Sequence, residues 1–113
     1  MSKDSRVYLE DMLASSEKVR RYVGALTFKQ FASDEMRVDA VVRNLEIMGE
    51  AARSVPPEIR EQYPSIEWRK LVGLRNILIR EYSGVDIEIL WDIVKAKLPS
   101  FEREVRRALD GRE

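Results

Sequence analysis

The stretch from Val38 to Ala52 constrains the fold more than any other. Val38, Val41, Val42, Leu45, Met48, Gly49 and Ala52 recur at i, i+3, i+4, i+7 spacing, so on a helix they form one continuous stripe. Val55-Pro56-Pro57 then stops the helix, because proline has no amide proton to donate and disfavours helical backbone in the residue before it. Such a stripe must be covered, and the rest of the chain supplies further helices. Tyr8, Leu9, Met12, Leu13, Ser16, Val19 and Val23 make a second stripe, with Gly24 placed to end it. A short helical turn is expected around Glu58 to Gln62, before Pro64. Another helix is predicted from Glu67 to Tyr82, with Ser65 available as its cap and Gly84 beyond its end. The last begins near Asp86 and buries Ile87, Leu90, Trp91, Val94 and Leu98; Pro99 either kinks it or restarts it as a segment to Leu109. Neither hairpin dipeptides nor alternating strands occur. The expectation is an all-α bundle of four to five helices, forming a single domain over residues 1–113.

Composition narrows the setting. A hydrophobic fraction of 44% beside 35% charged residues describes a soluble globular protein. The longest run without a charge is YVGALTF, residues 22–28, far short of the ~20 apolar residues of a membrane-spanning helix. The opening MSKDSRVYLEDML mixes acids with apolar residues and lacks a small-residue cleavage site, so it does not read as a signal peptide. There is no cysteine, which excludes disulfides and thiolate chemistry and leaves a cytoplasmic protein as the expectation. Aromatic surface on Tyr8, Tyr22, Trp68 and Trp91 favours burial between two copies, hence a two-fold homodimer.

Twenty basic and twenty acidic residues cancel, so any attraction to nucleic acid must come from a local patch. One candidate runs from Arg69 to Arg80, where Arg69, Lys70, Arg75 and Arg80 occur with no acid among them. It leads into GLRNILIREYSG, residues 73–84, where two arginines and Tyr82 stand in apolar surroundings. On a continuous helix Arg75 and Tyr82, two turns apart, share a face, while Arg75 and Arg80 are about 140° apart. The arginines and Asn76 can bind a phosphate, and Tyr82 can stack on a base or donate a hydrogen bond. Arginines of this kind also lie along surfaces with buried stems or pair with acids such as Glu81 or Asp86. Glu46 and Glu50, four apart, resemble half of a helical di-metal site, but such sites use Glu-x-x-His and the chain has no histidine; no metal or other cofactor is expected.

Several segments together resemble the HepT-like toxins, small helical proteins of the HEPN superfamily. They are RVYLEDML, VVRNLEIMGEAARSVPPEIR, YPSIEWRKLVGLRNILIREYSGVD and LWDIVKAKLP, in that order along nearly the whole chain. The resemblance implies a metal-independent ribonuclease acting on RNA as a homodimer. Its expected partner is a nucleotidyltransferase antitoxin of the MntA type. The family motif is arginine, four residues, histidine, one residue, tyrosine. Its arginine matches Arg75, the asparagine that follows matches Asn76, and its tyrosine, the implied acceptor of AMP from the antitoxin, matches Tyr82. The histidine position falls on Arg80. Histidine titrates near working pH and suits proton transfer, whereas arginine stays protonated and cannot act as a base. The resemblance therefore implies a toxin ribonuclease whose turnover is impaired in this chain by Arg80. The alternative is a non-catalytic helical dimer that binds a nucleotidyltransferase or nucleotides.

Overall fold

The computed structural model describes residues 3–80 and 84–111, apart from the side chains of Arg75, Ile77, Ile79 and Arg80. Two long helices form its frame. Helix α1, Lys3–Val23, packs along most of α3, Glu35–Ser54, and their apolar stripes face each other. Leu9, Met12, Val19, Val41, Leu45 and Met48 are completely buried between them and their neighbours. Gly24 closes α1 in the left-handed region, φ 51°, with its amide on the Arg20 carbonyl at 2.9 Å. Asp34 caps α3 through the Arg37 amide, and Val55 ends it in extended backbone, as the two prolines demand. Between the two long helices lies α2, Phe28–Ala32, which the sequence reading did not foresee. It is nucleated by a capping box in which Thr27 and Gln30 bond each other's backbone amides.

After the short turn α4, Pro57–Arg60, the predicted helix from Glu67 to Tyr82 is replaced by three shorter pieces. They are α5, Trp68–Val72; α6, Leu74–Leu78; and a strand β1, Ile79–Arg80. Helix α5 ends at Gly73, and α6 begins at once beyond it. Strand β1 pairs antiparallel with β2, Gly84–Val85, in the register Ile79 to Val85 and Arg80 to Gly84. The two-residue ladder corrects the expectation of no strands, though the architecture remains all-α. Ser65 is not a cap: Glu67 occupies the cap position without a side-chain bond, and the Ser65 hydroxyl donates to Glu104 at 2.6 Å.

Asp86 caps α7, Ile87–Asp92, through the Ile89 amide. The helix then passes through one π-helical turn, Ile93–Lys97, into α8, Leu98–Leu109. Pro99 falls in the first turn of α8, so the restart to Leu109 is the expected outcome that holds. The proline's missing amide and bulky ring fall where the Leu98 amide already reaches back five residues to the Ile93 carbonyl. Helix α8 lies against α1 and closes the bundle. Glu102, buried on α8, accepts from Arg20 at 2.9 and 3.3 Å, from Ser16 at 3.2 Å and from Arg106 at 3.1 Å. Among the described residues, no helix is long and apolar enough to cross a membrane.

Candidate functional site

Helix α6 carries the first half of the arginine motif, and its position follows from two features of its neighbours. Leu71, Leu74 and Leu78 are buried and anchor α5 and α6 to the core. Gly49 of α3 lets α5 come close, since a Cβ there would stand 2.9 Å from the Leu71 carbonyl oxygen. The break at Gly73 turns the chain so that Val72 and Asn76 both line a polar cavity of about 420 Å³ against α3. Its other wall is made by Arg43, Glu46, Glu50 and Arg53. Asn76 is exposed, its amide bonded to the Gly73 carbonyl at 3.1 Å, which leaves its side chain available to a ligand.

Arg75 shares α6 with Asn76, and Arg80 stands in β1 beyond the helix end. The helical spacing of Arg75 to Arg80 therefore does not apply, because helical backbone stops at Leu78. A ladder replaces it. The Asp86 amide bonds the Leu78 carbonyl at 2.9 Å, and Arg80 pairs with Gly84, so both sides of the connection are tied at its base. Tyr82 lies outside the described residues.

The basic patch expected over residues 69–80 is only partly free. Lys70 pairs with Glu67 at 2.6 Å, which holds the Glu67 carboxyl below its ordinary range. Arg69 and the patch's share of α6 keep the positive sign. On the C-terminal helix, Arg106 is committed to Glu17 and Glu102 and Arg107 to Glu104. Trp68 is a core residue whose indole nitrogen donates to the Tyr63 carbonyl at 3.1 Å. Trp91 is half-buried against Phe28 and Phe31, with the Lys95 ammonium 5.0 Å from its ring centre. Among the described residues, no three acidic, histidine or cysteine side chains gather as metal ligands would.

The α3 wall escaped the sequence reading, which weighed Glu46 and Glu50 only as metal ligands. Its signal was present: Arg43, Glu46, Glu50 and Arg53 are spaced three, four and three apart, which places them on one helical face beside the apolar stripe.

The structure is an all-helical bundle in which Asn76 of a short helix lines a polar cavity against the long helix α3. Comparison with known proteins gives its family. The model of the family described as Ribonuclease HepT-like matches residues 12–108, and the chain belongs to that family. A candidate RNase of Methanocaldococcus jannaschii is 42% identical over 106 residues, covering 93% of this chain and 97% of that protein. A Thermococcus cleftensis protein named as a probable ribonuclease HepT is 35% identical over 102 residues, 90% of this chain and 93% of its own. A second Methanocaldococcus jannaschii protein, named as a gamma-glutamylcyclotransferase and candidate RNase, is 37% identical over 110 residues. The match covers 97% of this chain, which spans about half (50%) of that relative's length. No solved structure matches.

Proposed function

We propose that the chain is the toxin component of a HepT-type pair, an endoribonuclease scaffold that cuts RNA without metal and works as a homodimer. The observation that carries this is the location of the motif. Arg75 and Asn76 fall together on α6, and Asn76 borders a polar cavity, within a chain whose family is that of ribonucleases. Strand cleavage by this route has the ribose 2′-oxygen attack the adjacent phosphorus while the 5′-oxygen leaves. One group must take the 2′ proton, another must supply a proton to the leaving oxygen, and a cation must stabilise the charge between them. Arg75 is assigned to that charge, with Asn76 as a supporting donor. Arg80 occupies the proton-transfer position and cannot act as the base, so turnover by this chain is reduced by about 10² to 10⁴ relative to a histidine enzyme. Tyr82 is the proposed acceptor of AMP from a nucleotidyltransferase antitoxin.

The test is RNA cleavage in the presence of a chelator by this chain, by Arg80→His and by Arg80→His/Arg75→Ala. Cleavage by Arg80→His alone is the expected result. Silence of all three, each folded, would sink the ribonuclease reading. The absence of any histidine favours a second reading, a non-catalytic dimer that binds a nucleotidyltransferase or nucleotides. Its mark is stable co-purification with such a partner and no cleavage after the histidine is restored. Transfer of AMP is checked by mass spectrometry after co-expression with the antitoxin: one AMP moiety is gained and is lost in Tyr82→Phe.

A further inference from the structure

The motif chemistry leaves four charged side chains of α3 unused. Arg43, Glu46, Glu50 and Arg53 lie on one face and border the cavity that Asn76 also lines. Among the described residues, none of the four makes an ion pair or a side-chain hydrogen bond. Some charges elsewhere close on one another, as in Arg20 with Glu102, Lys70 with Glu67 and Arg107 with Glu104; what sets these four apart is that they border one cavity. Two carboxylates one turn apart repel, and two arginines flank them with their donors open. The complement of such a wall is a molecule with anionic groups and hydrogen-bond donors alternating along its length. Single-stranded RNA is built that way, with phosphates between bases that carry N–H groups.

We infer that this cavity is the seat for nucleotides flanking the cleaved linkage, with Arg43 and Arg53 on phosphates and the Glu46–Glu50 pair selecting guanine; the inference rests on the ribonuclease reading. Ten residues of helix separate the arginines by about 15 Å at ~1.5 Å per residue, longer than one nucleotide step, so they hold different phosphates. A carboxylate accepts two hydrogen bonds side by side. Guanine offers such a pair on its pairing edge, N1–H beside N2–H₂, whereas uracil offers one N–H between two carbonyl oxygens that a carboxylate repels. Glu46 is half-buried and so held in place by its surroundings, while Glu50 is exposed.

Binding, not cleavage, tests this, so the chain is used as it is. Fluorescein-labelled UUGGUU and UUUUUU are titrated by anisotropy at several salt concentrations. UUGGUU is expected to bind about tenfold tighter, the discrimination of one good bidentate contact. Glu46→Gln/Glu50→Gln removes that preference without weakening UUUUUU. Arg43→Ala and Arg53→Ala weaken both RNAs alike, and each lowers the salt slope by about one phosphate contact. If these variants, folded by circular dichroism, bind both RNAs as the parent does while Arg75→Ala weakens both, the cavity assignment is overturned and the ribonuclease reading stands. If Arg80→His fails to cut while the α3 variants still alter binding, the ribonuclease reading falls, and with it the place of the seat beside a cleaved linkage, while the cavity stands as an RNA seat. If the parent binds neither RNA, both are overturned.

Discussion

Gly49 sets the distance between α3 and α5, and through it the shape of the cavity. Glycine inside a helix costs about 1 kcal/mol relative to alanine, so its presence amid Val41, Leu45 and Met48 calls for a reason. The reason is the Leu71 carbonyl oxygen, a backbone atom that cannot swing aside, 2.9 Å from where a Cβ would stand. Gly49→Ala is expected to destabilise the protein by about 1–3 kcal/mol despite alanine's better helix propensity, the cost of overpacking. Urea denaturation checks the sign, and a neutral or stabilising result would mean that α5 moves away freely. Arg80 is the other residue whose chemistry decides an outcome. With a histidine there, cleavage is expected to vary steeply with pH between about 5.5 and 7.5, where imidazole titrates. A pH–rate profile of Arg80→His that stays flat across that window would remove residue 80 from the proton-transfer step.

The helices that the sequence made legible are those whose burial is decided along their own length. The stripes of α1 and α3 survive because each buries one face against the other, and Asp86 and Gly24 act where their chemistry places them. The segment after Glu67 was misread for a related reason. Leu71, Leu74 and Leu78 keep helical spacing across the break at Gly73, so periodicity sees one helix where the chain makes two and then extends. Gly73 is the local signal of that break, and the apolar spacing on either side of it masks the signal. The candidate site was half legible: Asn76 reaches the cavity, but the wall opposite comes from α3, whose charged face looked like solvated surface. At Pro99 the sequence left two outcomes open; the restart as a segment to Leu109 is the one that holds, with a π-helical turn leading into it. The small helix α2 was legible but unread, since Thr27 and Gln30 are the ends of a capping box. Thr27→Ala should cost about 1 kcal/mol. Because Phe31 of α2 is fully buried and touches Trp91, the loss should register as a lower urea midpoint of the whole protein, with tryptophan fluorescence as the probe. An unchanged midpoint would show that α2 is held by Phe31 packing alone.

At the scale of the whole molecule, first and last helices are joined by a buried acid. Glu102 of α8 meets Ser16 and Arg20 of α1, and Arg106 bridges from α8 back to Glu17. Burial alone would push the Glu102 carboxyl up; hydrogen bonds from Arg20, Arg106 and Ser16 and the attraction of Arg20 outweigh it and hold the carboxyl below its ordinary value. A carboxyl depressed in the folded state adds stability that is fully present above its unfolded pKa of about 4.3 and is lost as pH falls through the folded value. The arginines are about half exposed, 59% and 48%, so water screens part of the attraction. Glu102→Gln is therefore expected to cost about 1–2 kcal/mol at pH 7, below the full worth of a buried charged pair. The sign fixes the pH course. The gap in melting temperature between parent and Glu102→Gln should be constant from pH 7 down to about 5 and narrow below the ordinary carboxylate range, as the parent's carboxyl takes up its proton. Melting curves by circular dichroism across that range measure it. A gap that does not narrow at all as pH falls to the acid limit of folding would mean that the side chain holds α1 to α8 by shape and not by charge, and the acid-labile seam would have to lie elsewhere.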